Sequence, residues 1–445
     1  MIAGSIVGSG ELIATTKTGA QAGLTLLWLI LIGCVIKVFV QIELGRYTIS
    51  SGNTCLEGLN LVPGPRLRVN WILWYWVVMS LVGLGQVGGI VGGVGQSLAL
   101  ALPLTGDFQN ALAGTEEVYT WDDKYWSMAV TLVTIAMLVR SRYGFVQTVA
   151  TALVASFTFL TLGNVISLQF TQAWSVSGDE VLRGLSFSLP THDKALMTAL
   201  AAFGIIGVGA DELITYPYWC LEKGYARFTG PRSADPTWAL RARGWMRVMT
   251  YDACLSMVIY TVATLAFYIL GAAVLHRLPE GSGDPEGMRM VYIIAKAYEP
   301  VFDVYAKYLF LVGAFAVLYS TFFVGTAGMA RVTTDAFTIF GLLRRGDRRQ
   351  HDLSVSVMCA VLPIVSLCIY MTGSDPVALV LTSGMMQSFM LPMLGAAALY
   401  FRYRRSDPRL KPRPVWNGLL WISFFGLMLA GMATAYNLIT EIMSS

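Results

Sequence analysis

Two strings that combine glycine with carboxylates recur in the two halves of the chain. The first runs from Val7 to Ile13 as VGSGELI, and the second runs from Val208 to Ile214 as VGADELI. Both lie inside apolar segments, where a charge near the bilayer centre costs at least about 2.5–3.5 kcal/mol. Glycine-interrupted segments at corresponding positions of two halves are a strong sequence indication of a binding site at the membrane midplane.

The chemistry of these strings predicts a cation site. Glu11, Asp211 and Glu212 would bring up to three negative charges together, and these repel one another unless a cation or proton neutralises them. Glycine lowers the cost of leaving helical geometry, and a broken helix frees carbonyls that coordinate cations. Oxygen ligands select hard ions such as Mg²⁺, Mn²⁺ or Ca²⁺. The predicted binding residues are Glu11, Asp211 and Glu212 as metal ligands, with Gly8, Ser9, Gly10, Gly207 and Gly209.

A structural alternative explains the same residues without a ligand. Glu11 and Glu212 would be held at half-helix N-termini by the helix dipole, and the glycines would allow close helix packing. The occurrence of the string at both predicted breaks favours the binding interpretation over this alternative.

The composition is that of a polytopic membrane protein. The 445 residues are 55% hydrophobic and 13% charged, whereas soluble domains carry about 25% charged residues. The net charge of +4 comes from basic residues between apolar segments and gives no indication of nucleic-acid binding. Apolar runs of about 20 residues predict eleven segments, at 1–20, 24–45, 70–101, 125–140, 143–168, 195–222, 246–276, 303–332, 353–372, 376–402 and 416–442.

Arginine and lysine are concentrated in alternate loops. This pattern predicts a multi-pass protein of the cell (inner) membrane with a cytoplasmic N-terminus and an extracytoplasmic C-terminus. Residues 1–445 then form one all-α transporter domain of two inverted five-helix repeats, about 1–168 and 195–402, with broken helices 1 and 6 and an appended helix at 416–442. Because the chain starts inside an apolar run, we expect further residues upstream in the native protein.

Collinear motifs match one family of membrane transporters. They are Thr18-Gly19-Ala20, Leu26-Leu27-Trp28, Tyr251-Asp252-Ala253, Ala272-Ala273-Val274-Leu275-His276, Ser320-Thr321, Gly325-Thr326-Ala327-Gly328, Ser383 and Leu391-Pro392. On these motifs the chain resembles the Nramp family of divalent metal transporters over most of its length. The resemblance implies the fold of the amino acid–polyamine–cation superfamily and a divalent metal as the transported substrate, with no cofactor.

The family's metal-binding motifs are altered in this chain. Gly8 stands where the family has a metal-binding Asp, and Glu11 stands where it has Asn. The family's Met-Pro-His-Asn falls on Gly209–Glu212 or one residue earlier, so its thioether is lost. Gly384 replaces a coordinating Gln, and Gln387, one turn later, is a candidate substitute. Since sulfur favours softer transition metals, we expect weaker discrimination of Mn²⁺ against Mg²⁺.

The family's proton pathway also lacks counterparts. Gly83–Gln96 is free of charged residues, although the family has an acid in this helix. All three histidines, at His192, His276 and His351, lie at the edges of loops. Proton coupling by the usual route is therefore not expected.

Lys37 lies deep in the second segment, where an unpaired charge is costly. We expect it to pair with an acid of another helix, such as Asp252. The alternative is that Lys37 is a fixed cation in the transport path and supports the site.

These observations predict a secondary transporter or facilitator that imports Mg²⁺ or Mn²⁺ by alternating access. One alternative is an amino-acid or other organic-solute transporter of the same fold, in which the amides of Gly8-Ser9-Gly10 bind a substrate carboxylate. A second is a non-transporting sensor or scaffold. No P-loop and no nucleophile–base constellation appears, so neither an ATP-driven pump nor an enzyme is expected. The expected partners are the metal cation and the lipid bilayer, and a monomer is compatible with the sequence.

Overall fold

The computed structural model describes residues 7–113, 119–140, 143–190, 193–279, 289–296, 298–299 and 305–444. The main helices are α1 (Thr16–Ala22), α2 (Leu27–Ser51), α3 (Trp71–Ala101), α4 (Asp122–Arg140), α5 (Tyr143–Leu168), α6 (Asp193–Ile205), α7 (Ala210–Glu222), α8 (Pro236–Ala273), α9 (Ala306–Ile339), α10 (Arg348–Met371), α11 (Pro376–Tyr400) and α12 (Pro414–Ser444).

Shorter elements join or extend these helices. A π-helical stretch, Gly10–Thr15, leads into α1, and another, Phe401–Arg405, extends α11. An antiparallel pair of two-residue strands, β1 (Arg66–Leu67) and β2 (Val69–Asn70), precedes α3. The remaining short helices are Cys55–Leu59, Asp107–Ala113, Gly178–Gly184, Tyr225–Thr229, Leu275–Arg277, Met290–Lys296 and Pro408–Leu410.

The predicted all-α membrane architecture is confirmed. Each of the eleven predicted apolar segments coincides with helix over most of its described length. Within the described residues, eight helices are long and apolar enough to cross a membrane, and Ala155–Leu168 is a shorter apolar stretch. The start of the first segment, residues 1–6, lies outside the described residues.

Helix α3 lies at the centre of the helix packing, against α4, α9, α10 and α11. A Cβ atom on Gly88 would lie 2.6 Å from the carbonyl oxygen of Ser366, and one on Gly89 would lie 2.5 Å from that of Pro376. Larger residues at these two positions would separate the helices. These two glycines therefore allow α10 and α11 to pack closely against α3.

The helix is broken between α6 and α7, as predicted. Gly207 adopts a left-handed φ of +59°, which residues with a Cβ rarely adopt. Gly209 is the N-cap of α7, so the polypeptide is non-helical from Ile206 to Gly209. At the first break, Val7 and Gly8 are non-helical before the π-helical stretch begins.

Candidate functional site

A cavity lies beside the second break and is lined by α3, α7 and α9. Its empty volume is about 800 Å³, part of which is open to solvent. Asp211 and Glu212 both line it, although adjacent helical residues point about 100° apart. The opposite wall includes Gly83, Gln86 and Thr321. Both acids of the second string are therefore available to one ligand.

One buried carboxylate oxygen beside the cavity, Oε2 of Glu212, lacks a hydrogen-bond partner among the described residues. The carboxylate of Asp211 faces the bare backbone of Gly83, since a Cβ there would lie 3.5 Å from Oδ2. Both acids lie in the first turn of α7, where the helix dipole favours negative charge. A buried carboxylate oxygen without a donor is a strong candidate for binding a cation.

Glu11 is placed differently. Its side chain is fully buried and does not line the cavity. Oε2 accepts the N–H of Gly8 at 2.9 Å, while Oε1 accepts the N–H of Gly207 at 3.2 Å and the hydroxyl of Thr264 at 3.3 Å. One carboxylate thus joins the first break, the second break and α8.

Lys37 fills the carbonyl end of the second break. Its fully buried ammonium donates to the carbonyl oxygens of Phe203 and, at 2.9 Å, Ile206. The predicted pairing of Lys37 with Asp252 is wrong, because Asp252 pairs with Lys223 at 2.7 Å. The carbonyls freed where α6 ends provide the partner, and no spacing of acidic residues in the sequence could have revealed it.

A chain of polar side chains crosses the site. Gln387 accepts the backbone N–H of Asp211 at 3.2 Å and donates to Gln86 at 2.9 Å. Ser383 also donates to Gln86, at 2.9 Å, and Gln86 donates to Ser9 at 3.4 Å. The predicted binding residues Ser9 and Gln387 are therefore linked to the start of α7 through α3. Gln86 is the member of this chain that lines the cavity.

Two predicted binding glycines are sites of close contact. A Cβ on Gly8 would lie 1.8 Å from Oγ1 of Thr321, whose hydroxyl donates to the carbonyl of Val7 at 3.2 Å. A Cβ on Gly384 would lie 2.4 Å from the carbonyl oxygen of Ala201. These contacts leave no room for a larger side chain at either position.

Within the described residues, no three His, Cys, Asp or Glu side chains form a ready-made metal cluster. The structure brings Asp211 and Glu212 together at the cavity and places Glu11 behind them. Sequence reasoning did not identify Thr264, which contacts Glu11, or Met329, which lines the cavity. Neither residue belongs to a glycine–carboxylate string, so no local signal distinguished it.

The family model "Natural resistance-associated macrophage protein-like" (Nramp) matches residues 1–437. A histidine-to-alanine mutant of the Eremococcus coleocola manganese transporter superposes with a TM-score of 0.68 at 14% identity, covering 97% of this chain and 85% of that one. MhsT in complex with L-phenylalanine gives 0.55 at 16% identity, covering 98% and 96%. Mhp1, a nucleobase-cation-symport-1 transporter, gives 0.58 at 13%, covering 98% and 91%. No curated protein matches the chain. At these identities the structures establish a shared transporter fold.

Proposed function

The chain belongs to the Nramp family, and from this premise we propose that it carries a divalent metal cation bound between Asp211 and Glu212. The family membership identifies a membrane transporter of divalent metals that is not an enzyme and has no cofactor. The observation that carries the finer proposal is that Asp211 and Glu212 line one cavity, where Oε2 of Glu212 has no hydrogen-bond partner among the described residues. Glu11 does not line this cavity, but its negative charge adds to the electrostatic attraction for a cation.

The charges around the breaks match a divalent ion. Lys37 and Glu11 bring one charge of each sign, and both are held by hydrogen bonds to the broken backbone. With Lys37 and the three acids Glu11, Asp211 and Glu212 all ionised, the region carries a net charge of −2. Burying uncompensated charge is costly, and one divalent cation would neutralise this charge. Gln86 and Thr321 line the same cavity and offer further oxygen ligands.

The amino-acid alternative is less consistent with the first break. In that alternative, backbone amides near Gly8 would bind the carboxylate of the substrate. The Gly8 N–H instead donates to the chain's own Glu11 at 2.9 Å. A substrate carboxylate would have to displace Glu11 in a region that already contains the acids Asp211 and Glu212.

The oxygen-rich ligand set favours Mg²⁺ or Mn²⁺ and makes Mg²⁺ a serious candidate substrate. Met329 is the thioether that lines this cavity within the described residues, and it lies on α9. The charge-free stretch Gly83–Gln96 supports transport that does not use the family's usual proton pathway.

The cavity runs from the break towards the C-terminal ends of α7 and α9, which arginine-rich loops follow. With those loops in the cytoplasm, as the charge pattern predicts, the cavity faces inward. Import by alternating access would require this cytoplasmic side to close in the other state. Two contacts between helices are already present there: Arg331 of α9 pairs with Glu222 of α7, and Asp335 of α9 accepts the hydroxyl of Tyr218 of α7 at 2.5 Å. The two inverted repeats, 1–168 and 195–402, supply the elements that would move.

Influx of Mg²⁺ and of Mn²⁺ into proteoliposomes tests the proposal on wild type, Glu212→Gln and the control Asp352→Asn. Asp352 is 83% exposed and far along the chain from the breaks. Saturable influx in wild type and control that is lost in Glu212→Gln is the expected result. No influx of either ion from folded wild-type protein would overturn the metal proposal and would lead next to uptake assays with labelled amino acids.

A further inference from the structure

A basic pocket lies apart from the helix breaks, where the end of α2, the start of α8 and the segment before α12 meet. Its empty volume is about 810 Å³, partly open to solvent, and Arg46, Arg243, Arg247 and Lys411 line it. Thr250 and Tyr251 add hydroxyl groups to the wall. Among the described residues, no acidic side chain lines this outer cavity.

A smaller inner cavity of about 210 Å³ adjoins it and shares Arg46. Arg402 lines this inner cavity, is only 4% exposed, and leaves its Nη1 without a hydrogen-bond partner among the described residues. Its Nε donates to Asn417 at 2.8 Å, which fixes the guanidinium. A buried, unsatisfied cationic donor is costly unless an anion completes its hydrogen bonds.

The nearby acids are already engaged. Asp407 accepts Arg232 at 3.0 Å and Arg409 at 3.1 Å. Hydrogen bonds from the Arg409 guanidinium lower the pKa of the Asp407 carboxyl to about 2. Glu43 accepts Trp416 at 3.0 Å and lies 3.9 Å from Arg46. Positive charge therefore remains in excess across the two cavities.

An apolar stripe leads away from this pocket along α8. Tyr251, Leu255, Val258 and Val262 are 68%, 64%, 54% and 39% exposed, and their spacing places them on the same helix face as Arg247. In a membrane, this stripe would lie along the lipid chains below the headgroup region.

We propose that this pocket binds the phosphate headgroup of an anionic phospholipid, whose acyl chain lies along the α8 stripe. The shared chemistry is that of a phosphate, which arginine forks and lysine bind well. The stripe favours a lipid over a free phosphate ion, because a free ion would gain nothing from it. Basic pockets at the cytoplasmic ends of membrane helices bind such headgroups, and the predicted orientation places this pocket on that side.

Native mass spectrometry of the full-length protein in detergent tests the proposal, with phosphatidylglycerol and phosphatidylcholine as lipid probes. We compare wild type with Arg247→Gln/Lys411→Gln, in which both altered residues are exposed. The matched control is Arg348→Gln/Arg349→Gln, which removes the same charge from another arginine-rich loop.

The expected result is preferential binding of phosphatidylglycerol that weakens by about tenfold or more in the pocket variant and not in the control. Equal binding by wild type and the pocket variant would overturn the proposal. Inorganic phosphate forms the third arm. Displacement of phosphatidylglycerol by phosphate at a concentration comparable to that of the lipid would also overturn it, because the site would then recognise the ion alone.

Discussion

Glu11 at the first helix break and Glu212 at the second each follow a glycine by three residues, yet their carboxylates have different surroundings. Glu11 turns back to the N–H of Gly8 and also reaches Gly207 and Thr264. Glu212 has one oxygen beside a cavity that no described residue contacts through a hydrogen bond. The repeated string thus predicts where each helix breaks. The residues that pack against each break determine whether its glutamate is bound by hydrogen bonds within the protein or is available to a ligand.

The packing at the two breaks explains this difference. At the first break, the non-helical backbone at Gly207 and the α8 residue Thr264 supply donors to Glu11. At the second break, Gln387 takes the N–H of Asp211, and α3 presents the bare backbone of Gly83 to the Asp211 carboxylate. We infer that the hydrogen bonds of Glu11 at the first break stabilise the fold, whereas Glu212 at the second break is available to bind a ligand.

The largest expected effect comes from removing the charge that holds the breaks together. Lys37→Met should destabilise the protein by about 3–5 kcal/mol, because it removes the buried donor to two broken-helix carbonyls and the positive charge that interacts with Glu212 and Glu11. Thermal unfolding in detergent, followed by tryptophan fluorescence, measures the loss.

The control variant is Lys124→Met, which removes another buried lysine. Lys124 pairs with Asp123 at 2.8 Å near the start of α4, so this variant tests whether an effect on metal binding is specific to Lys37. We expect the metal affinity to be unchanged in Lys124→Met and altered in Lys37→Met, because only Lys37 lies at the breaks. If Lys37→Met were as stable as wild type, this would contradict the role of Lys37 in stabilising the helix breaks.

The glycines provide a second contrast between the breaks. Gly8→Ala should cost roughly 1–3 kcal/mol, because its Cβ would meet both Oγ1 and the less adjustable Cβ of Thr321, at 1.8 and 2.6 Å. The Cβ of Gly209→Ala would meet the ends of the Glu212 and Gln387 side chains, at 2.4 and 2.8 Å, and both can move. Its nearest backbone contact, the carbonyl oxygen of Gly204, is looser at 3.2 Å. We expect Gly209→Ala to retain stability and lose metal affinity. Thermal unfolding and metal titration on both variants measure the two effects, and equal destabilisation would refute the contrast.

The sequence predicts those features of this site that depend on residues close together in the chain, and it does not predict those that depend on contacts between distant residues. The breaks were predictable because glycine and carboxylate within an apolar run are local features. The partner of Lys37 was not, since Phe203 and Ile206 bind it through backbone carbonyls. The contact of Gly384 with Ala201 belongs to packing between two helices. The family motifs indicated the fold correctly, while the altered binding residues required three-dimensional neighbours to interpret.

The two glutamates give the most direct test of the comparison. Glu11→Gln should cost about 1.5–3 kcal/mol of stability, because an amide nitrogen cannot accept the hydrogen bonds that a carboxylate oxygen accepts. Glu212→Gln should leave the stability of the metal-free protein nearly unchanged, since Oε2 of Glu212 accepts no hydrogen bond from the part of the chain that the structure describes.

Metal reverses this order. Ligand at 100 times its Kd stabilises the native state by about 2.7 kcal/mol, and Glu212→Gln should lose that gain while Glu11→Gln keeps most of it. Unfolding curves with and without Mg²⁺ or Mn²⁺ measure both quantities. A metal-dependent shift that disappears in Glu11→Gln and persists in Glu212→Gln would place the ligand at the first break instead.

The smallest expected effect concerns selectivity at the second break. The methyl carbon of Met329 and the carboxylate of Asp211 both lie within 4 Å of the place that a Cβ on Gly83 would take, at 3.7 and 3.5 Å. If the cavity uses this thioether, Met329→Leu should weaken Mn²⁺ uptake by less than about tenfold, or 1.4 kcal/mol, and leave Mg²⁺ uptake unchanged. The volume-conserving change keeps the packing nearly intact, and Met246→Leu outside the cavity serves as the control. Competition of Mn²⁺ against Mg²⁺ in proteoliposomes measures the ratio. An unchanged ratio would mean that oxygen ligands alone distinguish the ions, so the second break would differ from the first only in its free carboxylates.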